Sequence, residues 1–429
     1  MSPRGGGGRD STRDGTRGGP EAREARDGHD VHDARKVRAA GTNGGDRART
    51  LERLLATKEI VVSCGSGGVG KTTMAAALAA MAATHLGGKV LVLTVDPARR
   101  LANALGLERF GNTEVVVPPE AFAAGGVEPR GALWAAMLDT KQSWDDLVRR
   151  HAPDARTRDA ILSNALYENI SGRFVQSHDY IAMERLFEIH SSGTYDLIVV
   201  DTPPTRNAID FLEAPERMGE FFSSRLLRWL TAPAKSRVLT VTSKPFYRVA
   251  DSILGSQFLG DIAEFFSLFQ TMAPGFVERS GAVKRLLTDR RTTFLVVSTL
   301  EAAPAREAEF FVRELDARGL HLGAVILNKV LPTYLRRTNL TPVARALCRD
   351  AAALAADPSV HGGDEPDQVA RVLQEVGESF LNYQVVAKRE SEQRDELAQI
   401  PDVVATAPYL EADVHDLAGL LRLGEQVWR

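Results

Sequence analysis

One run of eight residues, Gly65-Ser66-Gly67-Gly68-Val69-Gly70-Lys71-Thr72, constrains this chain more than any other feature of its sequence. It follows a short β-branched segment, residues 60–63, and opens an alanine-rich stretch with helical character from Lys71 to about His85. The spacing is GxxxxGK[ST] in the strand–loop–helix setting that the motif requires. Glycines there reach backbone angles closed to other residues and let N–H groups approach phosphate oxygens. The helix N-terminus adds partial positive charge. Residues 65–70 therefore read as a phosphate cradle. Lys71 is expected to bridge β- and γ-phosphates, Thr72 to ligate Mg²⁺ and Thr73 to touch the α-phosphate.

The rest of the chain fits that start. From residue 51 onward, short apolar β-branched runs alternate with long helical stretches, the pattern of an α/β protein. Strands are expected at 59–63, 89–95, 133–138, 196–200, 292–298, 322–327 and 402–405. Several are continuously apolar, as parallel strands covered on both faces require. The fold class that follows is a doubly wound, mostly parallel sheet of the P-loop NTPase type, spanning 51–429, with a helical subdomain inserted after the switch regions. Two stretches, about 141–192 and 211–289, exceed a minimal crossover and are expected to pack as helices over one edge of the sheet. A third, about 332–400, carries a seam of Val369, Leu373, Val376, Phe380 and Tyr383 that is expected to pack on the chain's own body.

Two aspartates stand where strands end. Asp96 follows one strand in Val95-Asp96-Pro97, and Asp201 follows another in Val200-Asp201-Thr202-Pro203. In open parallel sheets ligands lie beyond the strands' carboxyl ends, so both carboxylates are expected near the phosphates. Each can hold Mg²⁺ or orient the attacking water. Asn328-Lys329 suits recognition of a nucleobase. The position two residues beyond Lys329, where guanine-binding proteins carry an aspartate, is Leu331, which favours ATP over GTP.

Composition removes other functions. With 53 Lys and Arg against 56 Asp and Glu, the net charge is −3, too little for nonspecific attraction to nucleic acid. Two cysteines, Cys64 and Cys348, exclude a disulfide framework and a four-cysteine zinc site. No apolar run reaches the roughly 18 residues of a membrane span. Residues 1–50 hold 11 of the 36 glycines and few aliphatics, so this segment is expected to be a disordered tail. A cytoplasmic location is expected, since the cysteine usage fits a reducing compartment and residues 1–50 hold no apolar stretch of the secretory kind.

Residues 65–73, Thr94-Val95-Asp96-Pro97-Ala98, Asp201-Thr202-Pro203-Pro204-Thr205 and Asn328 together resemble the ArsA-type anion-transporting ATPases. That family includes the ATPase guiding tail-anchored membrane proteins to their insertion site. The likeness runs from about residue 55 to 429. The segment Pro408-Tyr409-Leu410-Glu411 looks like the family's C-terminal stretch over the adenine. The resemblance implies ATP and Mg²⁺ as ligands. It implies that Asp96 orients the hydrolytic water, Asp201 reaches the metal through water, and Asn328 reads adenine beside Pro408. It also implies a homodimer, or a heterodimer with a paralogous ATPase, coupling turnover to a protein partner, a hydrophobic client or a membrane protein.

Departures from the pattern set the alternatives. The family's second loop lysine, which reaches across the dimer, is Ser66 here; Arg99, Arg100 and Arg206 are candidate substitutes for its charge. Without that cation the alternative reading is a nucleotide-holding, weakly catalytic subunit paired with a lysine-bearing paralogue. Two cysteines far apart cannot supply the three soft ligands of an arsenite site. Phe258, Ile262, Phe265 or Phe266, Phe269 and Met272 recur at helical spacing. Ordinary core packing is the favoured reading of this stripe, and a client groove the other.

Overall fold

Eight strands form a single sheet: β1 (Ile60–Cys64), β2 (Lys89–Thr94), β3 (Val115–Val116), β4 (Ala132–Met137), β5 (Leu197–Asp201), β6 (Thr292–Ser298), β7 (Leu322–Val330) and β8 (Val403–Pro408). Their order is β3-β4-β2-β5-β1-β6-β7-β8, and every pair is parallel except β3–β4. The computed structural model describes residues 50–95, 99–107, 111–170, 175–224, 264–362, 364–397, 403–410 and 412–428. One compact unit, Arg49–Arg429, holds all of them. The expected tail up to residue 49, Asp96, Phe258 and Ile262 lie outside the described residues.

Alternation along each strand feeds two cores. Ile60, Val62, Leu91, Leu93, Ile198, Val200 and Phe294 share one with the helices Thr140–His151, Val175–Ser191, Ala273–Thr288 and Ala302–Ala317. Val61, Val90, Val92, Val199, Leu295 and Ile326 share the other with the helices Lys71–His85 and Leu417–Trp428. The helix Lys71–His85 is buried on all sides from Met74 to Thr84 because its alanines let neighbours approach closely. Gly424 is one such close neighbour. A Cβ there would lie 2.3 Å from Met81 Cγ.

Three expectations need correction, and one strand, the two-residue β3, is too short to show a period in the sequence. β7 continues to Val330, so Asn328 and Lys329 lie within a strand rather than at its end, at a shift of register against β8. The inserted helices share a core with one face of the sheet instead of capping an edge. The seam on the long helix Pro366–Leu397 is divided: Leu373 and Phe380 are half-buried, while Val376 and Tyr383 are exposed. Of the phenylalanine stripe, Phe265, Phe269 and Met272 are buried among Trp144, Tyr167 and Phe276, as core packing requires.

Among the described residues no helix is long and apolar enough to cross a membrane. The strand order reverses around β1: the chain leaves β1 towards β2 on one side and β5 towards β6 on the other. Open parallel sheets bind ligands at such a reversal, beyond the carboxyl ends of the strands.

Candidate functional site

The phosphate loop begins where β1 ends, and its glycines are fixed by what crowds them. A Cβ on Gly65 would lie 2.1 Å from the Val297 carbonyl oxygen of β6, so only glycine lets the loop leave the sheet there. Gly70 caps the helix Lys71–His85 at φ +95, and a Cβ on it would meet Asn328 Nδ2 at 2.4 Å. Its carbonyl accepts from Met74 N at 2.9 Å, which starts the helix. Lys71 is buried, and its Nζ donates to the Ser66 carbonyl at 3.0 Å, folded back over the loop that it follows.

Asp201, the last residue of β5, is fully buried. Its Oδ2 accepts from Thr72 Oγ1 at 2.6 Å and from Thr94 Oγ1, at the end of β2, at 3.0 Å. Two hydroxyls and one carboxylate from three neighbouring elements thus converge beside the loop. These are hard oxygen donors of the kind that hold Mg²⁺, and few enough to leave coordination positions for phosphate oxygens and water, so the residues present fit that ion. Thr202 Oγ1 ties the next loop to β1 through the Ser63 carbonyl at 2.8 Å. Burial pushes the neighbouring Cys64 thiol up to about 12, against the lowering effects of Thr202 and Lys71, so it packs as a protonated thiol.

Asn328 faces the loop from β7. Its Nδ2 donates to the Val69 carbonyl at 2.8 Å, and its Oδ1 accepts from Lys329 N at 2.9 Å. A side-chain amide has two N–H donors and two acceptor lone pairs, so one of each remains after these bonds. Pro408 ends β8 and pairs with Val330, two residues beyond Asn328, while Tyr409 N donates to the Val330 carbonyl at 3.0 Å. The structure thus brings together residues 65–73, Asp201, Asn328 and Pro408. Asp96 lies outside the described residues, as do the side chains of Arg99, Arg100 and Arg206.

Thr94 and His178 have no role that the sequence announces, and Lys329 adds a contact beyond the nucleobase pair in which the sequence sets it. Thr94 stands within a motif, but its bond to Asp201 spans 107 residues. Lys329 Nζ reaches the Gly68 carbonyl at 3.3 Å from a backbone at φ +57, the one positive-φ non-glycine among the described residues. No local signal marks that conformation. His178 connects the helical layer to the loop after β2: its Nε2 lies 3.3 Å from the Val95 carbonyl, and its Nδ1 pairs with Thr140 Oγ1. A carbonyl only accepts, so Nε2 donates its proton to Val95.

Comparison with known proteins identifies the family. The family model for anion-transporting ATPases matches residues 58–341, from β1 through β7. The chain is similar to "ATPase get3" of Pyrenophora tritici-repentis, 25% identical over 293 residues covering 67% of this chain and 78% of that protein. It is also 25% identical to a "Putative arsenical pump-driving ATPase" of Chlorobaculum tepidum over 63% of this chain and 61% of that protein. An "ATPase ASNA1 homolog" of Leishmania infantum is 33% identical over 197 residues, 40% of this chain and 47% of its own length. With the match spanning well over half of its length, the chain belongs to the anion-transporting ATPase family.

Proposed function

We propose that this chain is a dimeric, cytoplasmic switch protein that binds and hydrolyses Mg-ATP and couples turnover to a protein partner or hydrophobic client. The observation that carries the nucleotide reading is the meeting of Thr72, Thr94 and Asp201 beside a complete phosphate loop. In this reading Lys71 exchanges the Ser66 carbonyl for β- and γ-phosphate oxygens, and the backbone N–H groups of residues 65–73 hold the others. Thr72 would hold Mg²⁺ and Asp201 would reach it through water, and the ion would supply charge neutralisation at the transferred phosphoryl group. Asp96 orients the attacking water. Asn328 reads adenine with its remaining donor and acceptor, beside the Pro408 segment.

The coupling reading is supported by His178, which ties the helices Thr140–His151 and Val175–Ser191 to the loop that carries Asp96. Loops held by a γ-phosphate and released on hydrolysis move what is attached to them. Arsenical handling, which one relative's name mentions, is not proposed here: Cys64 is buried in β1, and Cys348 lies on the separate helix Thr341–Ala355. Steady-state hydrolysis and equilibrium ATP binding test the first claim. Wild type should turn over Mg-ATP and Lys71→Ala should lose both properties; unchanged affinity and rate in Lys71→Ala would sink the assignment.

One observation favours a second reading. Ser66 is short, uncharged and buried, so it cannot offer a cation to a partner's nucleotide. The chain would then be the weakly catalytic member of a heterodimer with a lysine-bearing paralogue. A Ser66→Lys variant separates the two. A raised rate favours the heterodimer, and an unchanged rate in an already active wild type favours the homodimeric enzyme.

A further inference from the structure

Thr94 ends a strand whose interior is otherwise apolar. Val90, Leu91, Val92 and Leu93 fill β2 between Lys89 and Thr94, and Thr94 itself is fully buried. Parallel pairing sets it directly beside Asp201 of β5, which Ser63 of β1 flanks on the other side. Valine has the same shape and suits a buried strand, so what distinguishes Thr94 is the contact its hydroxyl makes. That contact is with Asp201 Oδ2, at 3.0 Å, the oxygen that also accepts from Thr72 Oγ1 at 2.6 Å. A carboxylate oxygen offers about two lone pairs, and these two hydroxyls match them. The terminal torsion of an aspartate has broad wells, so a single donor does not fix the carboxylate's plane. Two donors from different elements do. They differ in what holds them. Thr72 stands at the start of the helix Lys71–His85, where its oxygen is the expected Mg²⁺ ligand. Thr94 is held by the sheet on both sides: Leu138 N donates to its carbonyl at 2.9 Å, and the next residue's N, Val95 N, donates to the Asp201 carbonyl at 3.0 Å.

We propose that Thr94 is a positioning residue for the metal: its hydroxyl fixes the Asp201 carboxylate in the orientation that receives a Mg²⁺-bound water. Thr94 acts in this way only if the nucleotide reading holds, so the test separates the two. Binding of the fluorescent, non-hydrolysable analogue mant-AMPPNP to the full chain is titrated in excess EDTA and over a range of free Mg²⁺. Wild-type binding should tighten as Mg²⁺ rises. Thr94→Val keeps the shape and removes the donor, and should raise the half-saturating Mg²⁺ at least about tenfold, the loss of one hydrogen bond to a charged group. Its affinity in EDTA should move by less than about threefold. Thr94→Ser restores the donor and should return the wild-type midpoint, and Thr94→Ala should match Thr94→Val without any risk of overfilling the site. Thermal unfolding without nucleotide checks that each variant folds. In an Asp201→Ala background Thr94→Val should cause no further loss, because Thr94 acts through that carboxylate. A wild-type Mg²⁺ midpoint in Thr94→Val and Thr94→Ala, an equal loss in EDTA and in Mg²⁺, Thr94→Ser no better than Thr94→Val, or a further loss in the Asp201→Ala background would each overturn the proposal. Wild-type binding that ignores Mg²⁺ would overturn it as well, whereas no binding of the analogue at all would overturn the phosphate-loop reading beneath it.

Discussion

Lys329 shows how much one backbone conformation contributes. Its left-handed backbone costs a non-glycine residue about 1 kcal/mol, and that conformation carries its ammonium to the Gly68 carbonyl. Lys329→Ala and Lys329→Gly remove the same ammonium, but only glycine also relieves the backbone. Urea unfolding should find the glycine variant more stable than the alanine variant by about 1 kcal/mol. Equal stabilities would mean that the conformation is not strained. A second residue-scale expectation concerns Cys64. With its pKa raised to about 12 by burial, the thiol stays protonated at pH 8, and only the thiolate reacts. Iodoacetamide at pH 8 should leave Cys64 unmodified in the native protein and label it once denaturant is added, as read by peptide mass spectrometry.

Elements depend on contacts that no single residue announces. The helices Lys71–His85 and Leu417–Trp428 approach closely because Gly424 leaves Met81 its space. Gly424→Ala should destabilise the fold by about 1–3 kcal/mol in urea unfolding, because an added methyl in a packed core forces its neighbours off their rotamers. The pair Arg279–Glu184 joins the helices Ala273–Thr288 and Val175–Ser191, with Glu184 almost fully buried. Burial raises the Glu184 pKa despite the arginine beside it, so desolvation outweighs the attraction. Arg279→Met should then cost about 3–5 kcal/mol, and adding Glu184→Gln should recover most of it, because what destabilises is an uncompensated buried charge. A double variant no more stable than Arg279→Met would show that the arginine acts through packing.

For the whole molecule, a nucleotide that binds only the folded state must stabilise it by mass action. At 100 times its dissociation constant, ATP should add about 2.7 kcal/mol of stability, and Lys71→Ala should abolish that gain. A thermal shift retained in the variant would place the nucleotide elsewhere. Much of this architecture was legible in the sequence. Residues 294–297 are continuously apolar because both faces of their strand are covered, and β6 holds them within Thr292–Ser298, the range expected for that strand. Residues 65–72 were equally legible, since glycine spacing, strand and helix all lie within one short segment. The fourth-strand pairing with Val115–Val116, the extension of β7 through Asn328 and Lys329, and the links made by Thr94 and His178 were not. Each depends on which strands lie side by side, and Thr72 meets Asp201 across 129 residues only because β5 inserts between β1 and β2. The α/β class and the phosphate loop are written along the chain, because they rest on local periodicity and backbone sterics. Which side chains surround that loop is settled by folding alone, because strand order and helix packing bring together groups that no sequence spacing relates.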